Sequence, residues 1–331
     1  MKAVVLLSGG LDSSLALKLI KDQGIEVLAL HFISPFYRCD GDKGCGDSAR
    51  TISSLVGMEL KMVHMQEEYL DIVKEPKHGR GKNLNPCIDC RIFKFAHAKR
   101  VMEEIGASFI VTGEVLGQRP MSQYRRAMIL IEKEAELEGL VVRPLSAKVL
   151  DATFPEENGW VDRENFLNFQ GRHRKPQIKL AEELGIKDYT SPAGGCLLTD
   201  SIFCNKIRDL IDHDELTLYN AELLKVGRHF RFSPDAKLIV GRNEKENDRL
   251  LKLAKEDDFS FDPVGVPGPI GIGKGSFNED NIHTASRIIA RYSDASTGQP
   301  VDISHKKVSS GSSAVIKASQ AEEGELTSLR I

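Results

Sequence analysis

The sequence predicts an α/β fold, an open parallel sheet with helices on both faces, followed by a small C-terminal α+β module. Short apolar runs alternate with helical stretches over residues 1–115, as in strands joined by crossover helices. The first run, residues 3–7, leads directly into two glycines and a helix. From about residue 222, β-branched runs are separated by Gly and Pro, which indicates the separate module.

The individual elements follow in chain order. Apolar runs predict buried strands at residues 3–7, 27–31, 60–64 and 108–112. Helical spacing predicts helices over residues 15–20, 88–105 and 177–184, each closed by a glycine. Residues 237–240 are a further strand candidate in the module. The last twenty or so residues, rich in Ser, Ala and Glu, are expected to be poorly ordered.

The chain of 331 residues is too long for one typical domain. Residues 1–148, which contain the alternating strands and helices, are expected to form the first domain. Residues 149–221 are expected to connect this domain to the module at 222–331, and the connecting segment carries Cys196.

Composition excludes several classes of protein. With 41% hydrophobic and 28% charged residues, the chain is globular rather than disordered. A net charge of -3 excludes a uniformly basic nucleic-acid binder but allows a local basic patch. No apolar run is long enough for a membrane span, and the N-terminus lacks a secretory signal pattern. We therefore expect a cytoplasmic protein without a membrane partner.

Residues 8–14, Ser-Gly-Gly-Leu-Asp-Ser-Ser, lie between the first strand and the first helix, and we call them the phosphate loop. A strand–turn–helix of this kind offers backbone N–H groups and the positive end of a helix dipole to an anion. Asp12 is a poor phosphate ligand by charge and better suited to Mg²⁺. A plain turn with capping serines is the alternative interpretation.

The complete loop resembles the pyrophosphate-binding loop (PP-loop) of the N-type ATP pyrophosphatases, which split ATP into AMP and pyrophosphate. The resemblance implies an adenine nucleotide α-hydrolase-like, Rossmann-like sheet with ATP and Mg²⁺ as cofactors. It implies that the adenine lies near His31 and that the loop binds phosphate through Ser8, Gly9, Gly10, Asp12, Ser13 and Ser14.

Residues 268–275 have the glycine spacing of a second kind of phosphate loop, the Walker A motif. Gly275 replaces the Ser or Thr that would bind Mg²⁺, and Pro269 disturbs the loop. The stretch is therefore expected to be a turn-rich edge of the C-terminal module and not a nucleotide site.

Cysteines form the second constellation. Cys87 and Cys90 have CxxC spacing, and Cys196 follows two glycines. Inert buried thiols are one interpretation, and a structural zinc completed by Cys39 and Cys45 is another. A third is a [4Fe–4S] cluster with three cysteine ligands and one open iron. Cys204 lies in a helical stretch and is expected to be a core residue.

Further motifs favour the cluster over zinc. Residues 112–118 and Ser122-Gln123 resemble the signature of tRNA 4-thiouridine synthetases, and residues 85–87 and 175–177 resemble tRNA 2-thiouridylases. CxxC with one distant cysteine resembles the iron–sulfur-dependent tRNA thiolation enzymes. The resemblance covers roughly residues 1–200. It implies Gly113 and Gln118 in the nucleotide site and Cys87, Cys90 and Cys196 as cluster ligands.

Two local basic clusters, residues 78–82 and 172–175, flank these site loops and are candidates for tRNA phosphate contacts. The alternative is an ordinary solvated surface. In the C-terminal module, residues 232–247 resemble the NFACT-R type of RNA-binding domain, which carries a similar Gly-Arg-Asn string after a strand.

The expected function is ATP-dependent thiolation of a uridine in tRNA, with Asp12, Cys87 and Cys196 as catalytic residues. The sulfur donor is a sulfide or a persulfide carrier, and a homodimer is left open. One rival is a ligase or amidotransferase with the same ATP loop, which has no need of the three cysteines. The other is a non-catalytic RNA-binding iron–sulfur protein, which has no need of the ATP loop.

Overall fold

The computed structural model describes residues 1–37, 46–187, 189 and 195–331, without the side chains of residues 55 and 56. The chain divides into two compact units, Met1–Thr199 and Asp200–Ile331. This division differs from the expected boundaries at 148 and 221, because residues 149–199 are counted with the first unit. Cys196 therefore lies in the same unit as the phosphate loop.

The first unit alternates strands and helices. Its strands are β1 Lys2–Leu6, β2 Glu26–Ile33, β3 Glu59–His64, β4 Phe109–Thr112 and β5 Val141–Val142. Its helices are α1 Leu11–Lys21, α2 Asp47–Val56, α3 Glu67–Lys74, α4 Cys87–Glu104, α5 Arg125–Glu134, α6 Phe154–Glu157 and α7 Lys175–Glu183. Short 3₁₀ turns lie at Ala147–Val149, Arg163–Asn165 and Leu197–Thr199.

These strands form one parallel sheet in the order β3-β2-β1-β4-β5, so the predicted open parallel sheet is confirmed. The two-residue strand β5 is too short to have been predicted from its pattern. Leu6 at the end of β1 pairs with Leu30 of β2 and with Thr112 of β4. The carboxyl ends of three strands therefore meet at one edge, which is where ligands bind in open α/β sheets.

Helices cover both faces of this sheet. Ala3 and Val5 belong to one apolar cluster, which includes Ala16 and Leu17 of α1. Val4 belongs to a second cluster on the opposite face, which combines strand residues with four residues of α4 and with Ile131 of α5. Because successive strand side chains point to opposite faces, continuous apolar strands such as β1 serve both cores at once.

The second unit is an antiparallel α+β module. Its strands are β6 Arg228–Ser233, β7 Ala236–Val240, β8 Phe259–Val264, β9 Gly271–Gly275, β10 Val301–Lys307 and β11 Ala314–Ala318. They pair in the order β11-β10-β8-β9-β7-β6. Its helices are α8 Ser201–Asp212, α9 Leu218–Leu223, α10 Glu244–Leu253, α11 Glu279–Tyr292 and α12 Glu323–Leu329. Cys204 lies in α8 and is fully buried.

Two expectations for this module are wrong. The stretch at 268–275 is not an edge, because β9 lies inside the sheet between β8 and β7. Its glycines allow close packing, since a Cβ on Gly271 would stand 2.7 Å from the Ile289 side chain. The C-terminal residues are ordered as β11 and α12, and Leu326 joins the apolar core. Among the described residues, no helix is long and apolar enough to cross a membrane.

Candidate active site

A cavity of about 290 Å³ lies at the carboxyl edge of the parallel sheet. It brings together the phosphate loop, the end of β4, the start of α4 and the segment that carries Cys196. The predicted site residues that line it are Ser8, Gly10, Asp12, Ser13, Cys87, Cys90, Gly113 and Cys196. Sequence positions almost 190 apart thus share one cavity.

The phosphate loop is held by its own serines. Gly9 has a φ of 75°, a left-handed conformation that favours glycine. The hydroxyls of Ser13 and Ser14 each donate to the Gly10 carbonyl at 2.9 Å, and the Ser8 N–H donates to Ser13 Oγ at 3.2 Å. Helix α1 begins at Leu11, inside the loop, so the N-terminus of the helix forms part of an anion-binding turn beside the cavity.

Asp12 is the centre of a polar network. Its Oδ2 accepts hydrogen bonds from Gln118 Nε2 at 2.7 Å and from Arg174 Nη2 at 2.6 Å. Gln177 Nε2 in turn donates to Gln118 Oε1 at 2.8 Å. The second carboxylate oxygen, Asp12 Oδ1, is buried and has no hydrogen-bond partner among the described residues. An orphaned carboxylate oxygen beside an anion-binding loop fits a Mg²⁺ ligand.

Cys87 and Cys90 occupy the first turn of α4. Three residues apart on a helix, they share one face, and the Cys90 N–H donates to the Pro86 carbonyl at 2.8 Å. Tyr69 is only 2% exposed, and burial followed by the charge of the nearby Cys90 raises the pKa of its hydroxyl. Helix α3 thus brings Tyr69 close to Cys90. The CxxC spacing in the sequence gives no sign of this neighbour.

The Cys196 segment is fastened to the loop after β2. Tyr37 and Cys196 form an isolated antiparallel bridge, and the Leu197 N–H donates to the Phe36 carbonyl at 2.8 Å. A Cβ on Gly195 would stand 2.5 Å from the Tyr37 ring, so the glycine is required by this contact. Gly194, the other glycine before Cys196, lies outside the described residues.

All three thiols are free, and the surroundings of Cys87 and Cys196 oppose ionisation of these two. Burial, followed by the Cys90 charge, raises the pKa of Cys87. The same two causes raise the pKa of Cys196 to about 12, against a smaller opposing effect of Lys94. Three thiolates in one cavity would repel one another, and a bound cationic centre would offset that repulsion.

The donor set suits an iron–sulfur cluster by its chemistry, because all three side chains are thiols that line one cavity. No three His, Cys, Asp or Glu side chains of the described residues are grouped closely enough to hold one metal ion. The ligands of a four-iron cluster stand further apart, because the cluster itself is wider than an ion. Three cysteines on one cavity wall are the expected ligand type. Cys39 and Cys45, which the zinc interpretation requires, lie outside the described residues.

Sequence reasoning missed most of the positive charge in this cavity, which is lined by Arg91, Lys94, Arg119 and Arg174. Arg91 pairs with the buried Glu114 at 3.2 Å. Neither Lys94 nor Arg119 has an ion-pair partner among the described residues. Lys94 lies seven residues after Cys87 and four after Cys90, so helical spacing was a usable signal for its position.

The arginines also shift the pKa values of neighbouring charged groups. Burial would raise the pKa of Glu114, but Arg91 and Arg143 lower it below its usual value. For Arg119, loss of solvation and the nearby Arg91 lower the pKa despite the attraction of Asp12. The cavity therefore carries a surplus of positive charge suited to a polyanion such as ATP.

Some predicted site residues lie beside the cavity rather than in its wall. The buried His31 points away, and its Nδ1–H donates to the Leu7 carbonyl at 2.7 Å. Its strand neighbours Leu30 and Phe32 line the cavity instead, because alternate strand residues face opposite sides. Ser14 is fully buried, and Gln118 reaches the site through its bond to Asp12.

The candidate RNA-contact residues divide by exposure. In the run 172–175, Arg172 and Lys175 are exposed, whereas Arg174 turns towards Asp12. In the second unit, Arg242 is exposed and pairs with Glu246 at 3.1 Å. Asn247 is structural, because its Oδ1 accepts from the Ile270 N–H at 3.1 Å just before β9.

Comparisons with family models agree with the division of the chain. Residues 1–138 match the model described as "tRNA methyl transferase HUP domain". Residues 227–330 match the model described as "NFACT protein RNA binding domain".

The chain is also similar to curated tRNA-specific 2-thiouridylases. It is 25% identical over 231 residues to MnmA 1 of Caldanaerobacter subterraneus subsp. tengcongensis, a match that covers 64% of this chain and 60% of that protein. The Escherichia coli enzymes are 27% identical over 196 residues, which is 56% of this chain. The chain thus spans about half to three fifths of the length of these relatives.

Among solved structures, a 4-thiouridine synthetase–RNA complex with bound ATP matches 67% of this chain and 53% of its own, with 22% identity and a TM-score of 0.40. The U34-tRNA thiolase NcsA from Methanococcus maripaludis with its [4Fe–4S] cluster matches 68% and 73%, with 19% identity and a TM-score of 0.35. From the motifs and the sequence matches, residues 1–138 are similar to the HUP domain model and to the tRNA 2-thiouridylases, and residues 227–330 are similar to the NFACT RNA-binding domain.

Proposed function

We propose that this protein is a cytoplasmic ATP-dependent sulfurtransferase that replaces a carbonyl oxygen of a tRNA uridine with sulfur. One observation carries the proposal: the phosphate loop and Cys87, Cys90 and Cys196 line the same cavity. ATP cleavage and sulfur chemistry can therefore act on one bound base.

The proposed reaction has two steps. The uridine carbonyl oxygen attacks the α-phosphorus of ATP, and the bond to pyrophosphate breaks. A hydrosulfide sulfur then attacks the same ring carbon, AMP leaves with the original oxygen, and the transferred sulfur loses its proton. The first step is needed because a carbonyl oxygen is a poor leaving group and AMP is a good one.

This chain's residues have distinct tasks in that scheme. Backbone N–H groups of the phosphate loop bind pyrophosphate as it leaves, and Asp12 Oδ1 is available to hold Mg²⁺. A [4Fe–4S] cluster held by Cys87, Cys90 and Cys196 would supply a binding place for hydrosulfide when present. In a cluster-free variant of the scheme, a persulfide carrier loads Cys196, and the outer sulfur of this persulfide attacks the ring carbon. The Cys87 thiolate would then attack Cys196 Sγ and break the S–S bond, which releases thiouridine and leaves a Cys87–Cys196 disulfide for an external thiol to reduce.

The three cysteines also separate this proposal from its rivals. A ligase or amidotransferase with the same loop has no chemical use for three thiols beside the phosphates. A passive RNA-binding iron–sulfur protein has no use for the Asp12 network. One matching family model is described as a tRNA methyl transferase domain. Methyl transfer requires neither the three cysteines nor the Asp12 network.

The test is a thiolation assay under anaerobic conditions. Protein reconstituted with iron and sulfide is incubated with tRNA, ATP, Mg²⁺ and sulfide, and the digested tRNA is examined by mass spectrometry for thiouridine. We expect thiouridine, with AMP and pyrophosphate released only when tRNA is present. AMP release that depends on a different acceptor, or no ATP cleavage at all, would contradict the proposal. Thiolation by protein free of iron and zinc would show that no cluster is required. If that activity depended on a persulfide carrier in place of sulfide and on Cys196, the sulfur would be assigned to a Cys196 persulfide.

A further inference from the structure

Arg174 differs from the other residues of its basic run. Arg172, His173 and Lys175 are exposed, but the Arg174 side chain is only 19% exposed and lines the cavity. It stands immediately before α7, which packs against α1 behind the phosphate loop. One residue of a run that reads as an RNA-contact patch therefore belongs to the nucleotide site.

The contact made by Arg174 is replaceable. Its Nη2 donates to Asp12 Oδ2 at 2.6 Å, and this is the only hydrogen bond that the Arg174 side chain makes among the described residues. The same oxygen also accepts from Gln118 Nε2, so Asp12 keeps a partner if Arg174 leaves. The remaining guanidinium N–H groups are free to bind a further oxygen.

The backbone beside Arg174 is fixed by a neighbouring hydrogen bond. Gln177, in the first turn of α7, is 1% exposed and donates to Gln118 Oε1 at 2.8 Å. This bond fastens the start of the helix to the Asp12 network. A change of partner by Arg174 thus requires only a rotation of its long side chain.

We infer that Arg174 is an ATP-phosphate ligand, held by Asp12 in the free protein and transferred to the phosphates when ATP binds. The inference rests on the proposed function and adds a residue to its ATP site. A phosphate accepts the planar guanidinium fork through two hydrogen bonds, more than the single bond that Arg174 makes to Asp12. Its departure also removes a positive charge from the carboxylate that is to hold Mg²⁺.

The experiment measures equilibrium binding of ATP without tRNA, once with Mg²⁺ and once with EDTA. It compares the wild type with Arg174→Gln, Arg174→Lys and the control Lys179→Gln. Lys179 lies in α7, which begins directly after Arg174, and its side chain is 79% exposed. Loss of charge-assisted phosphate bonds should weaken ATP binding by Arg174→Gln roughly 10- to 100-fold in both buffers. Arg174→Lys should retain part of the affinity as a point charge, and Lys179→Gln should match the wild type.

The measurement in EDTA distinguishes a phosphate ligand from a residue that only orients Asp12. If Arg174 only orients Asp12 for Mg²⁺, Arg174→Gln will bind ATP like the wild type in EDTA, and the inference is overturned. Because binding is measured without tRNA, its result is separate from that of the thiolation assay. A wild type that binds ATP but makes no thiouridine would contradict the proposed function while leaving the Arg174 comparison valid.

Discussion

Gly113 approaches the backbone of Asp12 so closely that a Cβ at Gly113 would stand 2.5 Å from the Asp12 carbonyl and from the Ser13 nitrogen. The end of β4 is thereby pressed against the first turn of α1. This contact joins two separately recognised motifs, the phosphate loop and the stretch that begins at Thr112. It explains why a side chain at position 113 is incompatible with the geometry of the loop.

Gly113→Ala should therefore displace the phosphate loop. We expect loss of ATP cleavage and a fall in the free energy of unfolding of about 1–3 kcal/mol, as for overpacked sites. Pyrophosphate release and urea unfolding measure the two effects. Gly324→Ala is the control, because no atom stands within 4 Å of a Cβ there, and its stability should stay within about 1 kcal/mol of the wild type. An active Gly113→Ala enzyme would contradict the close approach.

Asp12→Asn should abolish ATP cleavage while preserving the fold. The substitution keeps the shape of the side chain but removes the charge that pairs with Arg174 and the carboxylate available to Mg²⁺. Pyrophosphate release and circular dichroism are the measurements. Asp151→Asn, at an 88% exposed side chain, is the matched control and should cleave ATP normally. Near-normal cleavage by Asp12→Asn would reject the role assigned to this residue.

Each of the three single variants Cys87→Ser, Cys90→Ser and Cys196→Ser should contain less iron after anaerobic reconstitution and should not thiolate tRNA. The wild type should bind about four irons per chain, as expected for one cluster. ATP binding should persist, because the phosphate loop is built from other residues. Cys204→Ala serves as the control, since Cys204 is a buried residue of the second unit. Unchanged iron in any of the three Ser variants would remove that residue from the ligand set.

The raised pKa of Cys196 predicts slow alkylation of the metal-free protein at neutral pH. Burial and the Cys90 charge raise this pKa to about 12, so only the rare thiolate reacts. Its rate should climb about tenfold per pH unit and continue to climb beyond pH 9, where an ordinary thiol levels off. Mass spectrometry of the Cys196 peptide after iodoacetamide treatment gives the rate. A plateau below pH 9 would contradict the shift.

The same shift fixes the sign of its effect on stability. At alkaline pH the unfolded chain loses the Cys196 proton before the folded chain does, so the folded state binds more protons. The contribution of Cys196 to stability is therefore complete below the ordinary thiol pKa and is lost as pH rises towards about 12. Cys90→Ser should reduce this loss, because it removes the second cause of the shift.

The second unit should contribute RNA affinity and no chemistry. A fragment of residues 1–199, which ends where the first compact unit ends, should still cleave ATP but bind tRNA more weakly. The dependence of its tRNA affinity on salt should be less steep than in the full chain, because fewer phosphates are neutralised. Filter binding over a range of KCl concentrations measures both. Equal tRNA affinity of fragment and full chain would reject the RNA-binding role.

The sequence by itself determined the parallel sheet and the location of the phosphate loop. Both depend on local patterns: apolar runs of strand length, helical spacing, and glycines directly after β1. The CxxC pair was equally local, because three-residue spacing at a helix start places two thiols on one face. Predictions failed where local texture misleads, as at β9, whose glycines suggested a turn although they permit close packing by α11.

Only the tertiary structure decided which distant residues share the site. Cys196 reaches the cavity because the Leu197 N–H and Tyr37 fasten its segment to the loop after β2. Arg174 reaches Asp12 across 162 positions, although its neighbours in the same basic run remain exposed. Such contacts depend on the packing of whole helices and on which side of a chain segment faces inward. Helix packing and the inward-facing side of a segment are both set by the folded core as a whole. No local spacing rule connects residues so far apart in the sequence.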